Sequence, residues 1–140
     1  MDTAPDKAFR LQIATQEKVV YEDDIVSVVA PGVEGYFGIL RHRAPLIAEL
    51  GLGVMKLTSP SGAVRRVALT GGILECSPKG VLVLADVAER SDEIDVKRAE
   101  AAAERARSRL GGGQAERVDA ERARTALMRA LNRLKAAEHH

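Results

Sequence analysis

Few side chains in this sequence could carry out covalent chemistry. His42 is the only histidine before the terminal pair, and Cys76 is the only cysteine. A lone histidine among arginines is more often a surface contact than a catalyst, and one cysteine can form neither an internal disulfide nor a thiolate metal cluster. No Ser/His/Asp set, paired-carboxylate cleft or HExxH motif is recognisable. We therefore predict a protein without a catalytic residue and without a metal site.

The densest local pattern lies between residues 31 and 50. Three glycines recur at every third position around an aromatic pair: Gly32, Gly35, Gly38, Tyr36 and Phe37. Each glycine costs about 1 kcal/mol and Pro45 about 3 kcal/mol in a helix interior, so the stretch predicts a short strand, a basic turn and a second strand from Leu46. A phosphate-binding loop is the alternative, but no Lys-Ser/Thr follows Gly38 and the spacing is not G-x-G-x-x-G.

A second candidate surface is basic and lies near the C-terminus. Cations occur without any acid between positions 122 and 135: Arg122, Arg124, Arg129, Arg133 and Lys135. Such a helix could bind a nucleic acid or an anionic surface, or it could be a solvated face. Its apolar stripe is mostly alanine and lacks Trp and Phe, so insertion into a membrane is not expected.

Composition limits the remaining possibilities. The chain has 140 residues, 21 basic and 20 acidic, with a net charge of +1, which argues against a protein that coats nucleic acid. This length suits one or two small domains. The N-terminus shows no secretory signal and no apolar run could span a bilayer, so we expect an intracellular protein that is soluble by itself.

The first two thirds of the chain carry a β pattern. From Phe9 to Ala88, short runs of Val, Ile and Leu are broken by turn residues at intervals of about ten residues. We predict nine or ten strands, including one from Ile25 to Ala30 that ends at Pro31-Gly32. So many short strands form two packed sheets or a flattened barrel. The predicted fold is therefore a mainly β domain over residues 1–89, a flattened ten-stranded sandwich or barrel.

Helical composition begins after this domain. From Ser91, Ala, Leu, Arg and Glu replace the β-branched residues. Ser91 is the predicted N-cap, with acids following in the first turn, and the glycines at 111–113 end the helix. The first helix has one narrow apolar face, at Ile94, Ala99, Ala102, Ala103, Ala106 and Leu110. The second helix has another, at Ala123, Ala126, Leu127, Ala130, Leu131, Leu134 and Ala137.

The two helices predict an antiparallel hairpin over residues 90–140. A turn centred near Gly112 would place Ile94 opposite Ala130 and Arg98 opposite Ala126. The seam between them is mostly alanine, which removes little apolar area from water at about 25 cal/mol per Å². We therefore expect a marginally stable hairpin that is free to open.

Several of these motifs resemble those of the epsilon subunit of F-type rotary ATP synthase. The matching residues are Gly35, Gly38-Ile39-Leu40, Ala44-Pro45-Leu46, Gly71-Gly72-Ile73-Leu74-Glu75, Leu84-Ala85-Asp86, Ala88-Glu89-Arg90, Ile94-Asp95 and Arg98-Ala99. Two positions depart from the family pattern. Arg41 stands where a proline is usual and Arg43 where a histidine is usual, with His42 displaced by one residue.

This resemblance implies a non-catalytic subunit of the rotor, peripheral to the cytoplasmic face of the inner membrane. The β domain would bind the gamma subunit and the membrane ring, through Gly35, Tyr36, Phe37, Gly38, Arg41, His42 and Arg43. The hairpin would reach the catalytic beta and alpha subunits and inhibit ATP hydrolysis, with Arg122, Arg124 and Arg129 on the inhibitory helix. A nucleic-acid or anionic-surface binding module remains the alternative function.

The resemblance also implies a regulatory ATP site that performs no hydrolysis. ATP-binding members share a motif that is matched here by Glu89, Ile94, Asp95, Arg98, Ala99, Arg129 and Arg133. Arginine suits phosphate because its planar group donates two hydrogen bonds at once, and Glu89 and Asp95 could accept from the adenine amino group or the ribose. Ordinary ion pairing between the helices is the alternative. No cofactor is required.

Overall fold

The computed structural model describes residues 8–41, 44–111 and 117–138. Within these ranges, ten strands precede two helices, as the composition predicts. The strands are β1 Phe9–Ala14, β2 Val19–Ile25, β3 Ser27–Gly32, β4 Gly35–Ile39, β5 Leu46–Leu50, β6 Gly53–Thr58, β7 Val64–Leu69, β8 Gly72–Ser77, β9 Gly80–Ala85 and β10 Ala88–Arg90. The helices are α1 Val96–Gly111 and α2 Arg117–Glu138, after a short 3₁₀ turn at Ser91–Glu93.

The strands form one path made of two halves. One half has the order β10-β7-β6-β3, with β4 also paired to β3, and the other has the order β5-β8-β9-β1-β2. The halves meet where Gly32 of β3 pairs with Leu50 of β5. The path nearly closes between β10 and β2, where the guanidinium of Arg90 lies 5.9 Å from the ring centroid of Tyr21. The predicted ten-stranded sandwich or barrel with a C-terminal helical hairpin is confirmed.

The core of this β domain is built from inward-facing strand residues. Its largest fully buried side chains include Leu11, Ile13, Ile25, Met55, Leu57, Leu69 and Leu74. Cys76 lies in the same cluster and is 7% exposed. None of the described helical residues belongs to this cluster. The β domain therefore closes its core without the hairpin, which contacts it from outside.

One predicted strand boundary is wrong. The run from Ile25 to Ala30 is not a single strand, because β2 ends at Ile25 and β3 starts at Ser27. β3 also continues through Pro31 and ends at Gly32, two residues beyond the predicted end at Ala30. Pro31 supplies an acceptor, its carbonyl oxygen, to the N–H of Gly51 at 2.8 Å. A proline fits a strand where only an acceptor is needed from it.

The start of the first helix also differs from the prediction. Ser91 opens the 3₁₀ turn rather than α1. Ile94 has extended backbone angles (φ −75°, ψ 126°) that interrupt the helix, and its side chain is 9% exposed. The carboxylate of Asp95 then accepts a hydrogen bond from the N–H of Arg98 at 3.0 Å. Asp95 is thus the residue whose side chain caps α1.

Alanines form the seam of the hairpin, as expected, but its register is shifted. The buried residues are Ala99, Ala103 and Ala106 on α1, and Ala123, Ala130 and Ala136 on α2. The prediction that Ala126 and Leu131 lie on the packed apolar face of the second helix is wrong, because both are exposed. Ile94 packs with Ala68 and Ala136 rather than opposite Ala130. The physical reason is that α1 ends at Gly111 while α2 begins only at Arg117, which moves the crossing toward the C-terminus.

Candidate functional site

The hairpin docks on the β domain through the C-terminal half of α2. The side-chain amide of Asn132 donates to the carbonyl oxygens of Gly53, at 2.9 Å, and Leu69, at 3.3 Å. Beside this contact lies an apolar cluster, which we call the docking cluster: Ala68, Ile94 and Ala136, with Val54 and Ala137 packed against them. Small side chains allow the helix to lie close to β6 and β7. This contact fixes where the neighbouring residues of α2 point.

The next residue of α2 makes an ion pair with the last strand. The Nε and Nη2 atoms of Arg133 lie 2.7 and 3.0 Å from the two carboxylate oxygens of Glu89. The two side chains are only 28% and 29% exposed. The hydrogen bond to Glu89 raises the pKa of Arg133 despite partial burial, and the charge of Asp95 acts in the same direction. Arg133 therefore stays protonated, and its two hydrogen bonds fix its orientation against Glu89.

A cavity of about 540 Å³ lies between the hairpin and the β domain. We call it the interdomain cavity, and its lining is Ala68, Thr70, Asp86, Val87, Glu89, Ala102, Ala126, Arg129, Ala130, Asn132 and Arg133. Its volume falls within the range of about 300–1,000 Å³ that is usual for small-molecule sites. Alanines make much of the wall, while cations from α2 face carboxylates from the strand ends. Such a lining suits a ligand with an apolar ring and an anionic group.

The structure gathers only part of the predicted ATP set around this cavity. Glu89, Arg129 and Arg133 line it, whereas the other four residues do not. Ile94 and Ala99 are buried in packing, Asp95 caps α1, and the side chain of Arg98 is exposed. Thr70, Asp86 and Asn132 were not predicted as site residues. Of these, only Asp86 fell within a recognised motif, and no sequence pattern marked the other two.

The residues predicted to meet the rotor lie along β4 and just after it. We call residues 35–41 the partner segment. Gly35, with φ +130°, and Gly38 and Arg41 are exposed, and Tyr36 is 56% exposed. Phe37 instead packs against the core. His42 and Arg43 lie outside the described residues.

The hydroxyl of Tyr36 reaches back to the β domain. It accepts a hydrogen bond from the N–H of Val54 at 3.0 Å. Gly53 is needed beneath it, because a Cβ there would lie 2.6 Å from this hydroxyl and would overlap Pro31. Tyr36 thus has an exposed ring and an anchored hydroxyl.

The residues predicted on the inhibitory helix are exposed in this closed arrangement. Arg122, Arg124 and Arg129 each have an exposed side chain. Arg122 and Arg129 border a shallow depression together with Glu121 and Thr125. Arg129 therefore faces both this depression and the interdomain cavity. Its charge is available to a partner from outside.

A further exposed surface was not predicted from the sequence. Large apolar side chains stand on the outer face of β5, β8 and β9, and we call them the apolar patch: Ile47 (73% exposed), Ile73 (51%) and Leu84 (55%). A shallow cavity of about 150 Å³ joins them to Glu75 and Leu82. Contiguous apolar side chains on a folded surface often mark a binding site for another protein. The strand pattern contained these residues, but only the fold shows that they share one outer face.

The described residues contain neither a metal-ligating cluster nor a membrane-spanning helix. Over residues 8–41, 44–111 and 117–138, no three His, Cys, Asp or Glu side chains are grouped as a metal ion would need. In the same part of the chain, neither helix has an apolar stretch of the length and hydropathy that a bilayer crossing requires.

Two family models match the chain, one for each structural part. Residues 8–91 match the family described as "ATP synthase, Delta/Epsilon chain, beta-sandwich domain". Residues 92–138 match "ATP synthase, Delta/Epsilon chain, long alpha-helix domain". Together they cover all the strands and both helices.

Curated relatives and a solved structure agree with these matches. The chain is 43% identical over 133 residues to the ATP synthase epsilon chain of Syntrophomonas wolfei, covering 95% of this chain and 96% of that protein. It is 48% identical over 130 residues to the epsilon chain of Moorella thermoacetica, covering 93% and 96%. A chain in the cryo-EM structure of Euglena gracilis mitochondrial ATP synthase (OSCP/F1/c-ring) has a similar fold, with a TM-score of 0.78, 18% identity and coverage of 95% and 82%.

Proposed function

The chain belongs to the ATP synthase delta/epsilon family as an epsilon-type stalk subunit rather than a catalytic one, and we propose that it joins the rotor and senses ATP. In this proposal the β domain binds the rotor, while the hairpin binds ATP when closed and restrains ATP hydrolysis when extended. Nucleic-acid binding by the basic helix is not favoured, because the family assignment covers that helix as well.

Docking on the rotor is assigned to two surfaces of the β domain. The apolar patch at Ile47, Ile73 and Leu84 suits burial against the gamma subunit, because its large apolar side chains are exposed. The partner segment, with exposed Tyr36 and Arg41, is assigned to the membrane ring. The subunit would then lie peripherally on the cytoplasmic face of the inner membrane.

ATP binding is assigned to the interdomain cavity. The observation that carries this proposal is the meeting of Arg129, Arg133 and Glu89 around an alanine-lined space of about 540 Å³. The arginines would hold the phosphates, and Glu89 would accept from the adenine amino group or the ribose. Arg133 already binds Glu89 through two hydrogen bonds, so ATP must exchange that internal pair for its own contacts.

Inhibition is assigned to the extended form of the hairpin. Arg122, Arg124 and Arg129 would then approach an acidic segment of the catalytic beta subunit. Because ATP binds only the closed form in this scheme, it stabilises that form by RT ln(1 + [L]/Kd) and opposes extension. A low ATP concentration would favour inhibition.

Calorimetric titration of the whole chain with ATP and with ADP, at millimolar concentration, tests the site. The unmodified protein should release or absorb heat on binding ATP and should melt at a higher temperature with ATP present. An Arg98→Ala, Arg129→Ala double variant should lose both effects. We expect the single Arg129→Ala change to account for most of the loss, because Arg129 lines the cavity and Arg98 does not.

A matched control replaces two exposed arginines of α1 that lie outside the cavity, Arg105→Ala and Arg107→Ala. This control should bind ATP as the unmodified chain does. The absence of both heat and thermal shift in the unmodified protein would refute the ATP site.

A further inference from the structure

One peptide group connects the partner segment to the docked helix. The carbonyl oxygen of Gly53 and the N–H of Val54 belong to the same planar amide. The carbonyl accepts a hydrogen bond from Asn132 on α2 at 2.9 Å, and the N–H donates to the hydroxyl of Tyr36 on β4 at 3.0 Å. The hairpin and the partner segment therefore hold opposite ends of one rigid group.

Close contacts surround this peptide group. Gly53 is buried, and no side chain fits on its Cα because Pro31 and the Tyr36 hydroxyl occupy the space. The side chain of Val54 packs into the docking cluster with Ala136 of α2. A displacement of Tyr36 is thus transmitted to both the carbonyl that Asn132 binds and the side chain on which the helix rests.

Two physical effects couple the hydrogen bond of Tyr36 to that of Asn132. Because the amide is planar, a tilt that follows Tyr36 turns the Gly53 carbonyl away from Asn132. Hydrogen bonds in a chain also polarise one another, so loss of the bond at the N–H weakens the bond at the carbonyl. Both effects lower the stability of the docked helix when the hydroxyl of Tyr36 leaves Val54.

We propose that the Gly53–Val54 peptide group links rotor contact to hairpin release, with Tyr36 as the sensor and Asn132 as the latch. A partner surface that draws the exposed Tyr36 ring outward frees α2, and release of α2 in turn loosens Tyr36. This inference rests on the proposed function, in which the partner segment meets the rotor and the hairpin opens. It concerns a neutral contact, separate from the charged pair of Glu89 and Arg133 that ATP would rearrange.

Hydrogen exchange of the full chain, without nucleotide or partner, tests the link. Tyr36→Phe and Asn132→Ala should each speed exchange of the α2 amides about three- to tenfold, as the loss of a hydrogen bond of ordinary net strength would. In the double variant, the fold-increase in α2 exchange should be smaller than the product of the two single fold-increases, because the two bonds share one peptide group.

Two control variants separate this effect from general destabilisation. Tyr21→Phe removes a hydroxyl elsewhere in the β domain, and Met128→Ala changes an exposed residue of α2. Both should leave α2 exchange close to that of the unmodified chain. If Tyr36→Phe leaves α2 exchange unchanged in a folded β domain, or if the double variant shows the full product, the link does not exist.

A reciprocal measurement avoids any change at Tyr36, should that variant fail to fold. In Asn132→Ala, the amide of Val54 should exchange faster, together with the α2 amides. Faster α2 exchange with an unchanged Val54 amide would overturn the proposal. Because no ATP is present, these outcomes are independent of whether the interdomain cavity binds ATP.

Discussion

Arg133 of α2 and Glu89 of β10 form a two-point ion pair, with Nε–Oε1 and Nη2–Oε2 distances of 2.7 and 3.0 Å. Family resemblance assigns both residues to an ATP site, whereas in this structure they pair with each other, between β10 and α2 rather than between the two helices as the alternative interpretation has it. An ATP site at these residues therefore requires ATP to replace the contacts between Glu89 and Arg133 with contacts of its own. This pair therefore contributes to holding α2 on the β domain, together with Asn132 and the docking cluster.

Replacing Arg133 by Lys should weaken the closed hairpin. Lysine keeps the charge but cannot make two parallel hydrogen bonds to one carboxylate, so we expect a loss of about 1 kcal/mol. Faster hydrogen exchange of the α2 amides, relative to those of the β core, would report it. Arg107→Lys is the matched control. The ion pair of Arg107 with Glu104 is longer, at 3.6 Å, and both of its side chains are mostly exposed. Equal effects of the two variants would contradict a special role for the Arg133 pair.

Deleting residues 91–140 should leave a folded β domain that still joins the gamma subunit. The reason is that the core cluster of this domain contains none of the described helical residues. Circular dichroism and copurification with a gamma subunit would measure folding and docking separately. A truncated chain that is folded but does not join the complex would show that docking was assigned to the wrong domain.

Removing positive charge from α2 should raise ATP hydrolysis by the assembled enzyme. The triple change of Arg122, Arg124 and Arg129 to Ala removes exposed cations, and its effect should be larger at low salt, where exposed charges are less screened. The rate of ATP hydrolysis at two salt concentrations is the measurement. Changing only Arg122 and Arg124 leaves the interdomain cavity intact and separates inhibition from ATP binding.

A control for this experiment is available on the other helix. Arg105, Arg107 and Arg109 of α1 are also exposed, and their replacement by Ala removes the same formal charge. That variant should hydrolyse ATP at the unmodified rate. An unchanged rate for the α2 variant at low salt would exclude the charge mechanism.

Gly72→Ala should destabilise the β domain by about 2–4 kcal/mol. Gly72 has φ +144°, and a Cβ there would overlap the carbonyl oxygen of Leu84 on the neighbouring strand. Gly62→Ala separates the two causes, because Gly62 has φ +90° with open space around it. It should cost only about 1 kcal/mol from backbone strain. Urea unfolding of both variants measures the difference, and similar losses would mean that steric overlap at Gly72 is relieved.

The sequence by itself determined the class of each half of the chain. Alternating apolar residues and turn signals predicted ten strands, and the change to Ala, Leu, Arg and Glu after Ser91 predicted two helices. Both signals are local, because burial of one face of a strand or helix imposes a fixed period on neighbouring residues. The resemblance to the epsilon family was confirmed by matches over both halves.

Only the tertiary structure decided which residues meet. Asn132 lies 79 positions from Gly53, and Arg133 lies 44 positions from Glu89, so no local period records either contact. The cap moved to Asp95 because Ile94 packs on Ala136 rather than continuing the helix, and the hairpin register shifted because α2 begins only at Arg117. These positions follow from how a narrow alanine face fits against β6 and β7. That fit depends on side-chain shape across distant segments, which propensity and periodicity do not encode.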